Sequence, residues 1–152
     1  MEKPVKDRDN FSARGELRIK IQRASGGIEK YQVKNLMVQT GTDFVAARMI
    51  GNTPAVVSHM AVGSGTNAAA AGDTSLQSQL GSRVPVIASR AASTVTYTAT
   101  FAAGVGTGSI TEAGLFNAAT GGTMTCRSVF GVKTKDPGDV MTIEWDNVIE
   151  AA

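Results

Sequence analysis

An antiparallel β-sandwich with one short helix and a flexible N-terminal arm is the fold this sequence predicts, and three observations predict it. Apolar residues alternate with polar ones in several short runs, as they do where one face of a strand is buried and the other meets water. Clusters of Gly, Ser, Asn, Asp and Pro punctuate those runs at spacings that suit hairpins and sandwich connections. The 17 glycines, with aromatics at only 5%, describe a core of small side chains between tight turns. A length of 152 residues supports one hydrophobic core and not two full-sized domains. Residues 1–14 are therefore assigned to a basic arm and residues 15–152 to a single β-sandwich domain.

The arm mixes Lys3, Pro4, Lys6, Asp7, Arg8 and Arg14 without apolar periodicity, so it is expected to order only against a partner. From Glu16 the pattern changes. Leu17, Ile19 and Ile21 alternate with Arg18, Lys20 and Gln22, a half-buried strand. Ala24-Ser25-Gly26-Gly27 then turns the chain into a second extended run, Ile28 to Val38, completing a β-hairpin. Within that run Tyr31 and Val33 are odd while Leu36 and Val38 are even, so the inward face is expected to change at a bulge near Lys34-Asn35.

Thr40 or Thr42 is placed to cap a short helix through Phe44, Val45, Ala46, Ala47, Arg48 and Met49, with Asp43 in its first turn and Gly51 as its stop. Val56 to Val62 reads as a strand ending at Gly63-Ser64-Gly65. Asp73 is a candidate cap for a helical turn through Leu76 and Leu80. Pro85 demotes Arg83 to Ala88 to an edge or bulged strand. Val95, Tyr97, Ala99 and Phe101 face inward against Thr94, Thr96, Thr98 and Thr100 on the other side. Ile110 to Asn117, Met124 to Val132 and the alternating Met141, Ile143 and Trp145 follow, separated by Gly104 to Gly108, Thr120-Gly121-Gly122 and Asp136-Pro137-Gly138-Asp139.

Charged residues are 18% and the net charge is +2, too mild for a nucleic-acid surface and without the aromatic interleaving such a surface uses. The excess is local: seven Lys/Arg stand against four acids between Met1 and Arg23. Arg8, Arg14, Arg18, Lys20 and Arg23 are accordingly the candidate assembly contacts, placed to meet an acidic neighbour. The polar N-terminus has no apolar core segment and no run of the chain approaches a membrane span, so neither a signal peptide nor an anchor is expected, and no membrane partner. Cys126 is the only cysteine, which excludes an internal disulfide and a thiolate metal cluster.

The supply of catalytic groups is thin, and no enzyme activity, metal or cofactor is expected. His59 lies in an apolar strand, where packing with a hydrogen bond is its expected role, and nothing sets Cys126 beside it. Asp136 and Asp139 flank Pro-Gly, which makes a β-turn rather than a cation site. Gly63-Ser64-Gly65 and Gly104 to Gly108 lack the following helix and Lys-Ser/Thr of a phosphate loop, and hairpin turns are the expected use of both. Glu112 is a lone carboxylate in an apolar run, and its expected job is to accept hydrogen bonds from loop amides.

Several blocks stand in order along the chain: Asn35-Leu36-Met37-Val38 with Gly41, His59 to Thr66, Ala71 to Leu76, Val95 to Phe101, Ile110 to Asn117 and Gly122 to Phe130, spanning about residues 33 to 146. Taken together they resemble small structural proteins of tailed bacteriophages and tail-fibre-associated β domains. The resemblance implies a non-enzymatic virion subunit, assembled in the host cytoplasm. It would be an accessory protein, either a capsid decoration (cement) protein or an adaptor at the tail or fibre attachment. Partners would be copies of itself, a trimer by the same resemblance, and capsid or tail proteins. Receptor-gripping relatives carry a further C-terminal domain, and with the chain ending soon after Trp145 a direct receptor role is not expected. A carbohydrate-binding module is the alternative, and it requires exposed aromatics where Tyr31, Tyr97 and Trp145 alternate as core residues do.

Overall fold

A computed structural model describes residues 11–51 and 54–151. Nine antiparallel strands and one helix make up these residues: β1 (Phe11–Gln22), β2 (Ile28–Met37), α1 (Gln39–Met49), β3 (His59–Gly63), β4 (Val84–Pro85), β5 (Ile87–Ala91), β6 (Thr94–Phe101), β7 (Gly108–Phe116), β8 (Met124–Lys135) and β9 (Val140–Ala151). The strand order is β4-β3-β7-β8-β2-β1-β9-β6-β5. Strands β4 and β5 stand at opposite ends of that order, yet only Val86 separates them in the chain. The sheet must therefore roll until its ends meet, which makes a nearly closed sandwich of two halves.

Strand β2 joins the halves. Ile28 to Asn35 pair with β1, then Leu36 and Met37 pair with Arg127 and Cys126 of β8. The two inner faces interdigitate. Leu17, Ile19, Ile21, Phe101, Ile143 and Trp145 come from one half; Met60, Val62, Ile110, Leu115 and Cys126 come from the other, and all are buried. The alternation read in β1, β6 and β9 is thus the core-facing pattern. The hairpin turn between β1 and β2 closes with Arg23 N–H on Gly27 O at 2.8 Å and Gly26 at φ +100°, a conformation glycine takes without a Cβ penalty.

The structure corrects several expectations. Residues 11–14, assigned to the arm, belong to β1 and pair with Val148 to Ala151 of β9; residues 1–10 lie outside the described residues. The inward face of β2 does not change at Lys34-Asn35: odd positions stay inward through Met37, Leu36 faces out, and what changes there is the pairing partner. The strand expected over Val56 to Val62 begins only at His59.

Helix α1 starts after Val38 with no side-chain cap, because the Gln39 amide is satisfied by Ala71 O at 2.7 Å. Thr40 instead donates to Met124 O at 2.7 Å, and Thr42 to Gln39 O at 2.8 Å. No helical turn forms between Asp73 and Leu80. Neither glycine-rich stretch is a hairpin turn. Gly63 ends β3 before a long loop, and Gly104 to Gly108 cross from β6 to β7, which do not pair with each other. That crossing is tied to the β8–β9 turn by Gly104 N–H on Pro137 O (2.8 Å) and by the buried Lys135, whose Nζ donates to Ala102 O at 2.9 Å.

Candidate functional site

The cross-strand register decides what the basic residues do. On the outer face of β1 the even positions meet β9 on one side and β2 on the other, so Arg18 stands beside Glu144 and Lys20 beside Thr142 and Lys30. Arg18 donates to Asp146 Oδ2 at 2.6 Å and to Glu144 Oε2 at 2.9 Å, and Asp146 also accepts from Thr96 Oγ1 at 2.7 Å. The Arg18 bond holds the Asp146 carboxyl below the usual carboxylate range, and the Thr96 bond adds to it. Arg14 pairs with Glu150 at 2.9 Å.

Arg23 works differently. Its guanidinium pairs with Glu29 and with the buried Asp139 (2.8 Å) and donates to Thr134 O (2.6 Å), joining the β1–β2 turn to the end of β8. Asp139 also accepts the amides of Ala24 (3.0 Å) and Asp136 (2.9 Å), so the Asp136 to Asp139 segment is the turn expected from its Pro-Gly, with a carboxylate locked inside it. Of the five basic residues proposed from the sequence, Arg14, Arg18 and Arg23 are thus engaged by acids of the same chain. Lys20 has no acid partner among the described residues, and Arg8 lies outside them.

A second polar cluster is buried. Glu112 is fully enclosed on β7 and accepts the amides of Gly65 (3.0 Å), Ser78 (2.7 Å) and Gln77 (3.0 Å), the role expected of it. Arg127, reaching diagonally from β8, sets Nε 3.0 Å and a terminal nitrogen 2.9 Å from the same carboxylate. The other terminal nitrogen of Arg127 bonds Asp73 at 2.8 Å, and Asp73 also accepts the Ala70 amide at 2.9 Å. Burial works to raise the Glu112 pKa, but the three amides and Arg127 together hold it below the ordinary carboxylate value.

Gly63 and Gly65 leave the room this carboxylate needs. A Cβ at either would come within 2.6 Å of Glu112 Oε1. The loop between β3 and β4 is thereby folded onto the body through side chains that hydrogen-bond backbone amides. Sequence reasoning singled out Glu112 but missed Arg127 and the use of Asp73. The available signal for Arg127 was the one that found Glu112, a single charge within a buried strand.

His59 is half-buried, its Nδ1 2.8 Å from Ser58 Oγ. Cys126 is fully buried, with the Asn147 amide 3.7 Å from its sulfur, and burial pushes the thiol up to about 11. Labelling of Cys126 by a thiol reagent at pH 8 is therefore expected to be at least about 100-fold slower in the native protein than in denaturant. Native labelling at the denatured rate would contradict this packing. Trp145 is buried, and Tyr31 and Tyr97 are partly buried against the core, so none of the three stands out from the surface as an exposed aromatic platform. Among the described residues no helix is long and apolar enough to cross a membrane, and no group of three or more His, Cys, Asp or Glu is placed to hold a metal ion.

At the helix end of the molecule the surface is apolar. Helix α1 buries only Gly41 fully, leaving Met49 and the following Ile50 78% and 77% exposed. Between α1 and the diverging ends of β1 and β2 lies a groove of about 570 Å³. At the β5 margin of the sheet every residue of that strand is exposed, Ile87 by 78%. No protein-family model, curated protein or solved structure matches the chain.

Proposed function

We propose that this chain is a non-enzymatic structural subunit of a tailed-phage particle, an accessory protein at the particle surface that acts by symmetric packing with copies of itself. The observation that carries the reading is the apolar surface exposed among the described residues at the α1 end, where Leu36, Met49 and Ile50 face solvent beside a groove while the core residues are sealed. Apolar side chains exposed together beside a groove are what another protein covers. The exposed edge strand β5 adds a second place where a neighbour can attach. The ordered blocks between residues 33 and 146 point to the kind of particle.

Several of the groups that acid–base chemistry would draw on are committed to holding the fold. Glu112, Arg127, Asp73 and Asp139 bond one another or backbone amides, and the Cys126 thiol is enclosed. The sugar-binding alternative draws no support from the inward-facing aromatics. Gold-labelled antibody electron microscopy on purified particles of the encoding phage tests the reading. Label over the shell makes the chain a decoration or cement protein, label at the tail or fibres makes it an adaptor there, and unlabelled particles overturn the assignment.

A further inference from the structure

Strand β1 is paired along its whole length on one side only. It bonds β9 from Phe11 to Gln22, but β2 only from Gly15 onward, because Leu36 and Met37 have turned away to β8. The Arg23–Gly27 pair that closes the hairpin fixes which way each amide points: odd residues of β1 face β2, even residues face β9. The N–H and C=O of Ala13 therefore face the gap left by β2, and on that side they have no backbone partner among the described residues. The groove described above is that gap. Ala13, Leu36, Met37, Val45, Ala46 and Met49 give it apolar walls, and Arg14, Glu16 and Lys34 form its rim.

We propose that this groove receives residues 1–10 of a second copy of the chain, laid along the open edge of β1 as an added strand. The proposal rests on the symmetric-packing reading above and names its partner and site. An open strand edge is completed by an extended segment, through backbone bonds on one side and alternate side chains in the adjoining pocket. Ten residues extended span about 33 Å, comparable with the width of a domain this size, so the segment leaving Phe11 of one subunit can reach its neighbour's groove.

The segment's chemistry suits the groove. Met1, Pro4 and Val5 are its apolar side chains, and its Glu2, Lys3, Lys6, Asp7, Arg8 and Asp9 match a rim that carries both signs. A copy's own segment would have to reverse sharply just before Phe11 to enter the groove: a two-residue turn pairs Lys6 with Ala13 and sends an ammonium group to the inward side, and a turn of three residues is needed to bring Val5 there. A segment arriving from a neighbour needs no such reversal and can place Val5 opposite Ala13 directly.

The test mixes two purified variants, Val5→Cys and Met49→Cys, under mild oxidation; Cys126, being buried, stays out of the exchange. A covalent dimer containing one chain of each, identified by mass on a non-reducing separation, is the expected result. Its absence overturns the proposal, as does closure of an internal disulfide in the double variant with none between the mixed singles, which would assign the groove to the chain's own segment. Deleting residues 1–10 is expected to lower the sedimentation coefficient to that of one subunit, and an unchanged assembly would also overturn it. Both measurements use purified protein, so particles that carry no gold while the cross-link forms would sink the virion reading and leave the docking intact.

Discussion

Replacing Glu112 with alanine is expected to cost about 3–5 kcal/mol of unfolding free energy, because it strands a buried guanidinium and removes the acceptor for three backbone amides. The carboxylate is fully enclosed, and every polar group around it is a donor: the amides of Gly65, Gln77 and Ser78, and Arg127. Asp73 satisfies only one end of Arg127, so the other end would face the vacated site. Glu112→Gln keeps the volume but replaces one accepting oxygen with an NH2 donor among donors, and it should recover little of the loss. Arg127→Met combined with Glu112→Ala removes the stranded charge and should cost less than the sum of the two single changes. Urea unfolding of these variants measures this, and a Glu112→Ala cost below about 1 kcal/mol would show that the network does not hold the loop.

The same site sets an acid limit. The folded-state pKa of Glu112 lies below its ordinary value, so its contribution is fully present above the ordinary carboxylate range and is lost as pH falls through the lower, folded value. Asp73, held down first by the Ala70 amide and then by Arg127, has the same sign. Stability of the native chain should therefore be level near neutrality and decline below about pH 4–5. That decline should be shallower in Glu112→Gln, which has no carboxyl left to protonate.

What could be read in the sequence follows from where water and core divide. The alternation of Leu17, Ile19 and Ile21 was legible because β1 has one wet face and one dry face, and period two then identifies the inward side. Leu36 misled for the converse reason: an apolar residue left exposed at a groove carries the same letter as one in the core, so it shifted the inferred face of β2. Residues 11–14 read as arm because their partners lie at the far end of the chain, where Glu150 neutralises Arg14, and local periodicity carries no trace of a pairing that distant. Glu112 stood out as a charge within an apolar run. Its partner did not, since Arg127 meets it only once β7 and β8 have paired, and Asp73, which holds the other end of Arg127, lies 54 residues away on the loop after β3. The Gly63-Ser64-Gly65 stretch invited a turn reading when its glycines in fact clear space for a carboxylate from another strand.

Gly41→Ala is expected to detach helix α1 from the sheet while leaving the sheet folded, at a cost of about 1–3 kcal/mol from overpacking. A Cβ at Gly41 would fall 2.0 Å from Thr125 O, 2.8 Å from Thr125 C and 3.0 Å from Met37 Cγ. The first two are backbone atoms of β8, and Thr125 O already accepts the Val38 amide at 3.2 Å, so relief must come from the helix and not from the strand. Apart from Phe44, which packs against the core, little else resists that movement. Gly41 is the only fully buried residue of α1, and the remaining ties near its N-terminus are Thr40 on Met124 O and the Gln39 amide on Ala71 O. Amide hydrogen exchange should show protection lost across residues 39–49 and retained in β1, β9 and β7, a local opening rather than global unfolding. The groove would lose one wall in the same step. With Gly41→Ala added to both partners, the covalent dimer between the Val5→Cys and Met49→Cys chains should fail to form although every other wall of the groove is intact. Wild-type protection of α1 in Gly41→Ala would mean that β8 can give way where the helix meets it, and the close approach at Gly41 would then not be what seats the helix.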